Sequence, residues 1–273
     1  TVLAIHFTPE ANAVSRISTG SGNWSNPASW NPAGIPASAD QISIQPGHTI
    51  TIDQNSVAST LTVQENAILK WGMSRKLTLS GGILVYGKAE IIEGDIELLT
   101  PGSMFKIGAN GHVIWQPADN TAAGASLFLK SHENFLPTST LTINRWYNYT
   151  AVPLGSVVTG NFGNLELNTL LGGLLYEWNQ NNEFQAHKIL GKLTIGQGWI
   201  VLDKSGHIIN TEIGSIELNN VNSYLDLHSG DHPGSFVVKT GELTNIGGTL
   251  NGIFNGNGNI KLEVTGDVYN LGY

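Results

Sequence analysis

Apolar and polar residues alternate in short runs along most of the chain, and turn signals separate the runs. Ile42 and Ile44 face one way across Ser43, Ile50 and Ile52 across Thr51, and Leu61 and Val63 across Thr62. Pro46-Gly47 and Asp53-Gln54-Asn55 cut these pairs apart. Period two between frequent turns predicts short β-strands, because alternate side chains of a strand leave opposite faces. Gly and Asn fill the turns because they tolerate left-handed backbone. No run carries a helical period over a convincing length.

The apolar triplets also return at a set distance. Leu61-Thr62-Val63, Ile83-Leu84-Val85, Phe105-Lys106-Ile107 and Leu127-Phe128-Leu129 stand 22 positions apart. A looser series follows at Leu141, Leu165, Leu193, Ile216, Phe236 and Ile260, with further pairs at Leu77/Leu79, Ile96/Leu98, Ile200/Leu202 and Leu225/Leu227. A coil of roughly 20–25 residues cannot bury its apolar side alone, so stacked coils must supply the core. This predicts an all-β fold, a right-handed parallel β-helix. The alternative is an antiparallel β-sandwich, which also places strands every 8–12 residues or roughly so. Clean hairpin signals are few, and the restarts at Gly81-Gly82, Gly172-Gly173, Gly191-Lys192 and Gly247-Gly248 suit solenoid corners better. The expected organisation is an arm or strand over residues 1–20 and one β-helix domain over 21–273, with a cap at 21–60 and coils at 61–273.

The start of that domain carries a motif. Gly22, Trp24, Trp30, Gly34, Pro36 and Asp40 lead into Gly47, Thr49-Ile50-Thr51-Ile52-Asp53 and Leu61-Thr62-Val63. This spacing resembles the G8-like capping region that opens right-handed parallel β-helix domains in large secreted proteins of Bacteroidota. The match covers about the first quarter of the chain. The resemblance implies a β-helix with an N-terminal cap, a secreted or cell-surface location, and export by the type IX route. It does not imply a reaction, since the family holds both enzymes and adhesive or structural modules.

Composition narrows the function classes. Charged residues make up 12% of the chain, and 33 glycines suit a turn-rich solenoid. The net charge is −8, and the 13 Lys and Arg residues form no basic stripe. The electrostatic drive for nucleic-acid or anionic-membrane binding is therefore missing. Without cysteine there are no disulfides and no thiolate chemistry. No apolar run reaches the length of a membrane span. Thr1–Phe7 is mildly apolar, but Pro9 and Glu10 interrupt it without a basic leader, so it reads as an arm.

Three groups of residues could carry chemistry. Glu90, Glu93, Asp95 and Glu97 form an acidic run in which Asp95 and Glu97 share one strand face. Glu93, Asp95 and Glu97 are the candidate catalytic set, through a carboxylate pair or a bound Ca2+, with Arg75, Lys76 and Lys88 about one coil away. The plainer reading is a solvated face, because no neighbouring coil shows a second acid row. Asp226, His228 and Asp231, with His232 adjacent, could ligate a metal; the plainer reading is an ordinary turn. Trp146, Tyr147 and Trp178 stand among polar neighbours and could stack on sugar rings. His48, His112, His187 and His207 stand alone in the sequence, and no serine-hydrolase elbow occurs.

The expected function is a non-catalytic secreted or cell-surface module for adhesion or for glycan and matrix contact, with no cofactor beyond Ca2+. A polysaccharide lyase or glycoside hydrolase is the second class, and a filament subunit the third. The chain ends in a strand-like pattern at Gly266–Tyr273, so self-association through solenoid ends or the N-terminal arm is an expected mode, as is membership of a longer protein.

Overall fold

The computed structural model describes residues 12–100, 103–116, 135–144, 161–168, 175–177, 188–202, 210–229, 235–254 and 259–271. Over these residues the chain is a parallel β-solenoid. A single three-residue 3-10 turn at Pro27–Ser29 is the only helix among them. One pairing, Ser15–Ser18 with Trp30–Asn31, is antiparallel, and every other described pairing is parallel. The antiparallel sandwich is thereby excluded.

The early turns have three sides. One turn runs through Thr60–Val63, Ile68–Trp71 and Lys76–Leu79, and the next through Ile83–Val85, Lys88–Ile92 and Asp95–Leu98. Each strand stacks on its counterpart one turn away, giving a six-stranded sheet, a 15-stranded sheet and a three-stranded sheet. The 22-residue repeat is one turn of this coil: Leu61 pairs with Ile83, and Ile83 with Phe105. Leu127 lies outside the described residues.

The later triplets do not continue that column. Leu141 stacks on Val113 of the large sheet, and Leu165, Leu193 and Ile216 follow it there. Ile216 then pairs with Leu243 rather than Phe236, which pairs instead with Ile260. The apolar-polar-apolar triplet is interchangeable between sides of a coil, so spacing alone does not tell which side it occupies.

The core is the set of inward columns. One runs Ile50, Leu69, Ala89, Val113, Leu141, Leu165, Leu193 and Ile216, all essentially without solvent contact. Phe105, Phe135 and Phe162 stack edge-to-face in successive turns, with centroids 6.1 and 5.9 Å apart. Fully burying such side chains contributes roughly 1.5–3 kcal/mol each, and no coil has enough of them to stand alone.

A glycine column lines one corner of the large sheet. A Cβ at Gly111 would lie 2.1 Å from the Val85 carbonyl oxygen, and one at Gly214 would lie 2.4 Å from that of Gly191. Gly87, Gly163, Gly191, Gly241 and Gly266 take the same place on other turns, and Ala67, Ser139 and, on the turn of Ile50, His48 fill it where glycine is absent. The close backbone approach, not an unusual φ, makes the requirement.

The N-terminal residues of the motif are structural. Trp24 and Trp30 are buried and pack edge-to-face at 5.1 Å, and the Trp30 Nε1 donates to the Trp24 carbonyl. Asp40 accepts from Val14 N, Ala37 N and Arg16 Nε. Asp53 accepts from the backbone and hydroxyl of Ser25. Burial pushes both carboxyls upward, but these hydrogen bonds outweigh it and hold both below the usual carboxylate range. Residues 1–11 lie outside the described set. No described helix is long and apolar enough to cross a membrane.

Candidate functional site

The acidic run divides between two kinds of position. Asp95 and Glu97 lie on the outer face of Asp95–Leu98, and Ile96 between them enters the core. Their strand pairs with Lys76–Leu79, which sets Lys76 opposite Asp95. Lys76 Nζ donates to Glu97 at 2.8 Å and Thr78 Oγ1 donates to the same oxygen at 3.2 Å. The two carboxyls are driven apart in acidity. Burial raises Asp95, and the Glu97 charge adds to it. Hydrogen bonding from Lys76 lowers Glu97. Glu93 is not on that face. It occupies the preceding corner with φ 52°, where its backbone bridges Gln116 and Ser74 of adjoining turns.

Asp226 is fully buried, which the sequence pattern did not suggest for an outward position. The indole N–H of Trp199 donates to one oxygen, and Asn251 Nδ2 donates to the other at 2.7 Å. Asp226 therefore ties three successive turns together. His228 follows on the same strand, Ser223–Ser229, but its side chain and Asp231 lie outside the described residues, as do Trp146, Tyr147 and Trp178. Among the described residues, no three His, Asp or Glu side chains converge as a metal site would require.

The large sheet holds an arrangement that spacing did not expose. Its outward positions form ladders. One runs Thr51, Lys70, Glu90, Ile114, Thr142, Glu166, Thr194, Glu217 and Thr244 on consecutive turns. Glu90, Glu166 and Glu217 thus share one column, an acid row lying on a different side of the coil from Asp95. Beside it run Lys88, His112, Thr140 and Asn164. Neighbouring rungs are about 4.8 Å apart.

His112, which looks isolated in sequence, joins this face. Its Nε2 lies 2.9 Å from Thr142 Oγ1, and Thr142 donates its only proton to Glu166 at 3.0 Å. The imidazole must therefore donate through Nε2, which assigns the tautomer from the network. Asn168 Nδ2 donates both to Glu166 at 3.0 Å and to Asn144 Oδ1 at 3.1 Å. Burial lowers the His112 pKa, Lys88 lowers it further, and Glu166 and Glu90 oppose the shift. The net shift favours the neutral ring. Glu90 sits between Lys88 and Lys70, at 2.7 and 3.4 Å; burial raises its pKa, but the two ammonium groups outweigh that and hold it low.

Chemically, this face is a row of fixed donors and acceptors: hydroxyls, amides, carboxylates and one neutral imidazole at a regular pitch. Such an array can exchange hydrogen bonds with a polar polymer laid along it. Sequence comparisons return no matching family model, no matching curated protein and no matching solved structure.

Proposed function

We propose that the chain is a non-catalytic module of a secreted or cell-surface protein, with an N-terminal cap of the G8-like kind, that contacts glycans or extracellular matrix through the outward ladder of its large sheet. The observation that carries this is the network His112–Thr142–Glu166–Asn168–Asn144 on the outer face of the large sheet. A solenoid repeats its surface at a fixed pitch, and an extended polysaccharide repeats its hydroxyls at a comparable one. Matching the two needs no induced fit, which limits the ordering cost of binding. The motif from Gly22 to Val63 supports the extracellular assignment by resemblance.

Affinity electrophoresis of the native chain in gels containing neutral or acidic polysaccharides tests the reading. Retardation by at least one polysaccharide, weakened in Glu166→Gln and Asn168→Ala, is the expected result. Unchanged mobility in every gel would overturn it.

A second reading rests on the opposed acidities of Asp95 and Glu97. In a polysaccharide hydrolase or lyase, the raised Asp95 would serve as the acid and the lowered Glu97 as the charged partner. Depolymerisation of an acidic or neutral polysaccharide, lost in Asp95→Asn, would establish it. Absence of any depolymerisation removes it.

A further inference from the structure

The corner between the six-stranded sheet and the large sheet changes length in one turn only of three successive ones. Val63 and Ile68 are separated by four residues, Gln64–Ala67, and Ile107 and His112 by four, Gly108–Gly111. Between them, Val85 and Lys88 are joined by only Tyr86-Gly87. The strands on both sides keep register: Val85 pairs with Val63 and Ile107, and Lys88 with Ile68 and His112. The two missing residues therefore appear as a notch in the edge of the rod. Its volume is about 490 Å³, and Asn66 and Asn110 stand on opposite rims. Both asparagines are left-handed, at φ 60° and 59°. The rims are two rungs apart, about 9.5 Å.

Tyr86 forms the floor. Its ring lies over Gly108, where a Cβ would come within 2.3 Å of Tyr86 Cδ1, so the glycine is what lets the ring lie there. Glu65, Lys88 and His112 complete the lining. The side chains of Glu65, Asn66 and Tyr86 make no hydrogen bond or ion pair among the described residues. They surround one half-buried aromatic ring with polar groups that have no other described partner.

We infer that this notch binds a single neutral pyranose, with Tyr86 against the C–H face of the ring and Asn66, Asn110 and Glu65 taking its hydroxyls. An aromatic ring among unspent donors and acceptors suits a solute that is apolar on one face and polar around its rim. Neutrality follows from charge. Lys88 is engaged by Glu90 at 2.7 Å, whereas Glu65 has no cationic partner among the described residues. An anionic ligand would meet that carboxylate uncompensated. The inference rests on the glycan-contact reading, and the notch adjoins the ladder, sharing Lys88 and His112 with that face.

The test uses the native chain and saturation-transfer NMR with methyl glycosides of neutral hexoses, N-acetylhexosamines and hexuronic acids. Three variants accompany it: Tyr86→Ala, the pair Asn66→Gly with Asn110→Gly, and Gly20→Ala as a control away from both surfaces. Glycine keeps the left-handed backbone while removing the amides, so the pair stays folded even if Tyr86→Ala does not; circular dichroism checks both. The expected result is transfer to a neutral glycoside, with affinity falling about tenfold or more in the notch variants and unchanged in Gly20→Ala. Tighter binding of an oligosaccharide ending in that sugar would identify a chain terminus as the source. If neutral glycosides bind equally well to the notch variants, the notch assignment fails while glycan contact stands. Binding of hexuronates alone would overturn the assigned ligand class. No binding of any glycoside, together with unretarded electrophoresis, would remove both readings.

Discussion

Replacing Asp40 with Asn tests whether the N-terminal end is held by its buried carboxylate. Asp40 is 2% exposed. One oxygen accepts from Arg16 Nε at 2.7 Å and Ala37 N at 3.0 Å, and the other from Val14 N at 3.0 Å. All three partners are donors, so either orientation of an asparagine amide points its NH2 at another N–H. The change thus removes a charge-assisted hydrogen bond, worth about 1.5–3 kcal/mol, and leaves one or two donors unsatisfied at about 1–3 kcal/mol each. Arg16 retains its bond to the Pro32 carbonyl at 2.6 Å and some water contact, which offsets part of this. A net loss of about 3 kcal/mol is expected, in the range for breaking a buried pair. In a solenoid that loss falls on the turn that holds Asp40 before it reaches distant ones. Hydrogen exchange should therefore show the amides of Val14 and Ala37 losing protection, while that of Leu193 in the middle of the large sheet keeps it. Urea titration of Asp40→Asn, Arg16→Met and the double variant gives the coupling energy. Unchanged protection at Val14 and Ala37, or a loss below about 1 kcal/mol, would refute the reasoning.

Acid should act through the same groups. Asp40, Asp53 and Glu90 all have folded pKa values below their ordinary ones. Their stabilisation is therefore complete above the ordinary carboxylate range and is lost as pH falls below about 4 through the folded values; a urea midpoint measured from pH 7 to 3 checks this. His112 also has a lowered pKa, so its contribution is complete above about 6.5 and falls as pH drops from there toward its folded value. Glu166→Gln removes a charge that favours the imidazolium, and NMR titration should find the His112 pKa lower still. Gly214→Ala places a methyl against the Gly191 carbonyl oxygen and should cost about 1–3 kcal/mol, whereas Gly20→Ala, with open space around it, should leave the melting temperature nearly unchanged.

The repeat was legible because burial enforces it. Leu61, Ile83 and Phe105 must point inward on consecutive turns, and their 22-residue spacing survives intact in the fold. The side of the coil was not legible, because the same triplet serves all sides. A second repeat runs through the sequence. Gly-polar-apolar recurs as Gly87-Lys88-Ala89, Gly111-His112-Val113, Gly163-Asn164-Leu165, Gly191-Lys192-Leu193, Gly214-Ser215-Ile216, Gly241-Glu242-Leu243 and Gly266-Asp267-Val268. In each the glycine takes the corner, and in all but the last the apolar residue enters the core; Val268 is 60% exposed. That motif recurs along the large sheet, although Gly94-Asp95-Ile96 shows the same pattern on the three-stranded one.

Register also explains why the polar network escaped sequence reasoning. His112 reaches Thr142 across a turn of 28 residues, and Thr142 reaches Glu166 across one of 24. Unequal turns scatter the column in sequence while the ladder hydrogen bonds bring it back into line. The scaffold is therefore nearly indifferent to turn length, and corners and loops are free to vary. Shortening one corner at Tyr86-Gly87 changes no strand pairing, yet it opens a notch against unaltered neighbours. A surface specialised in this way leaves no mark in the apolar pattern. It becomes visible only when the lengths between paired positions, rather than the positions themselves, are compared from turn to turn. Restoring that corner to four residues offers a direct consequence: the strands should stack as before, the stability should hold, and the notch alone should close.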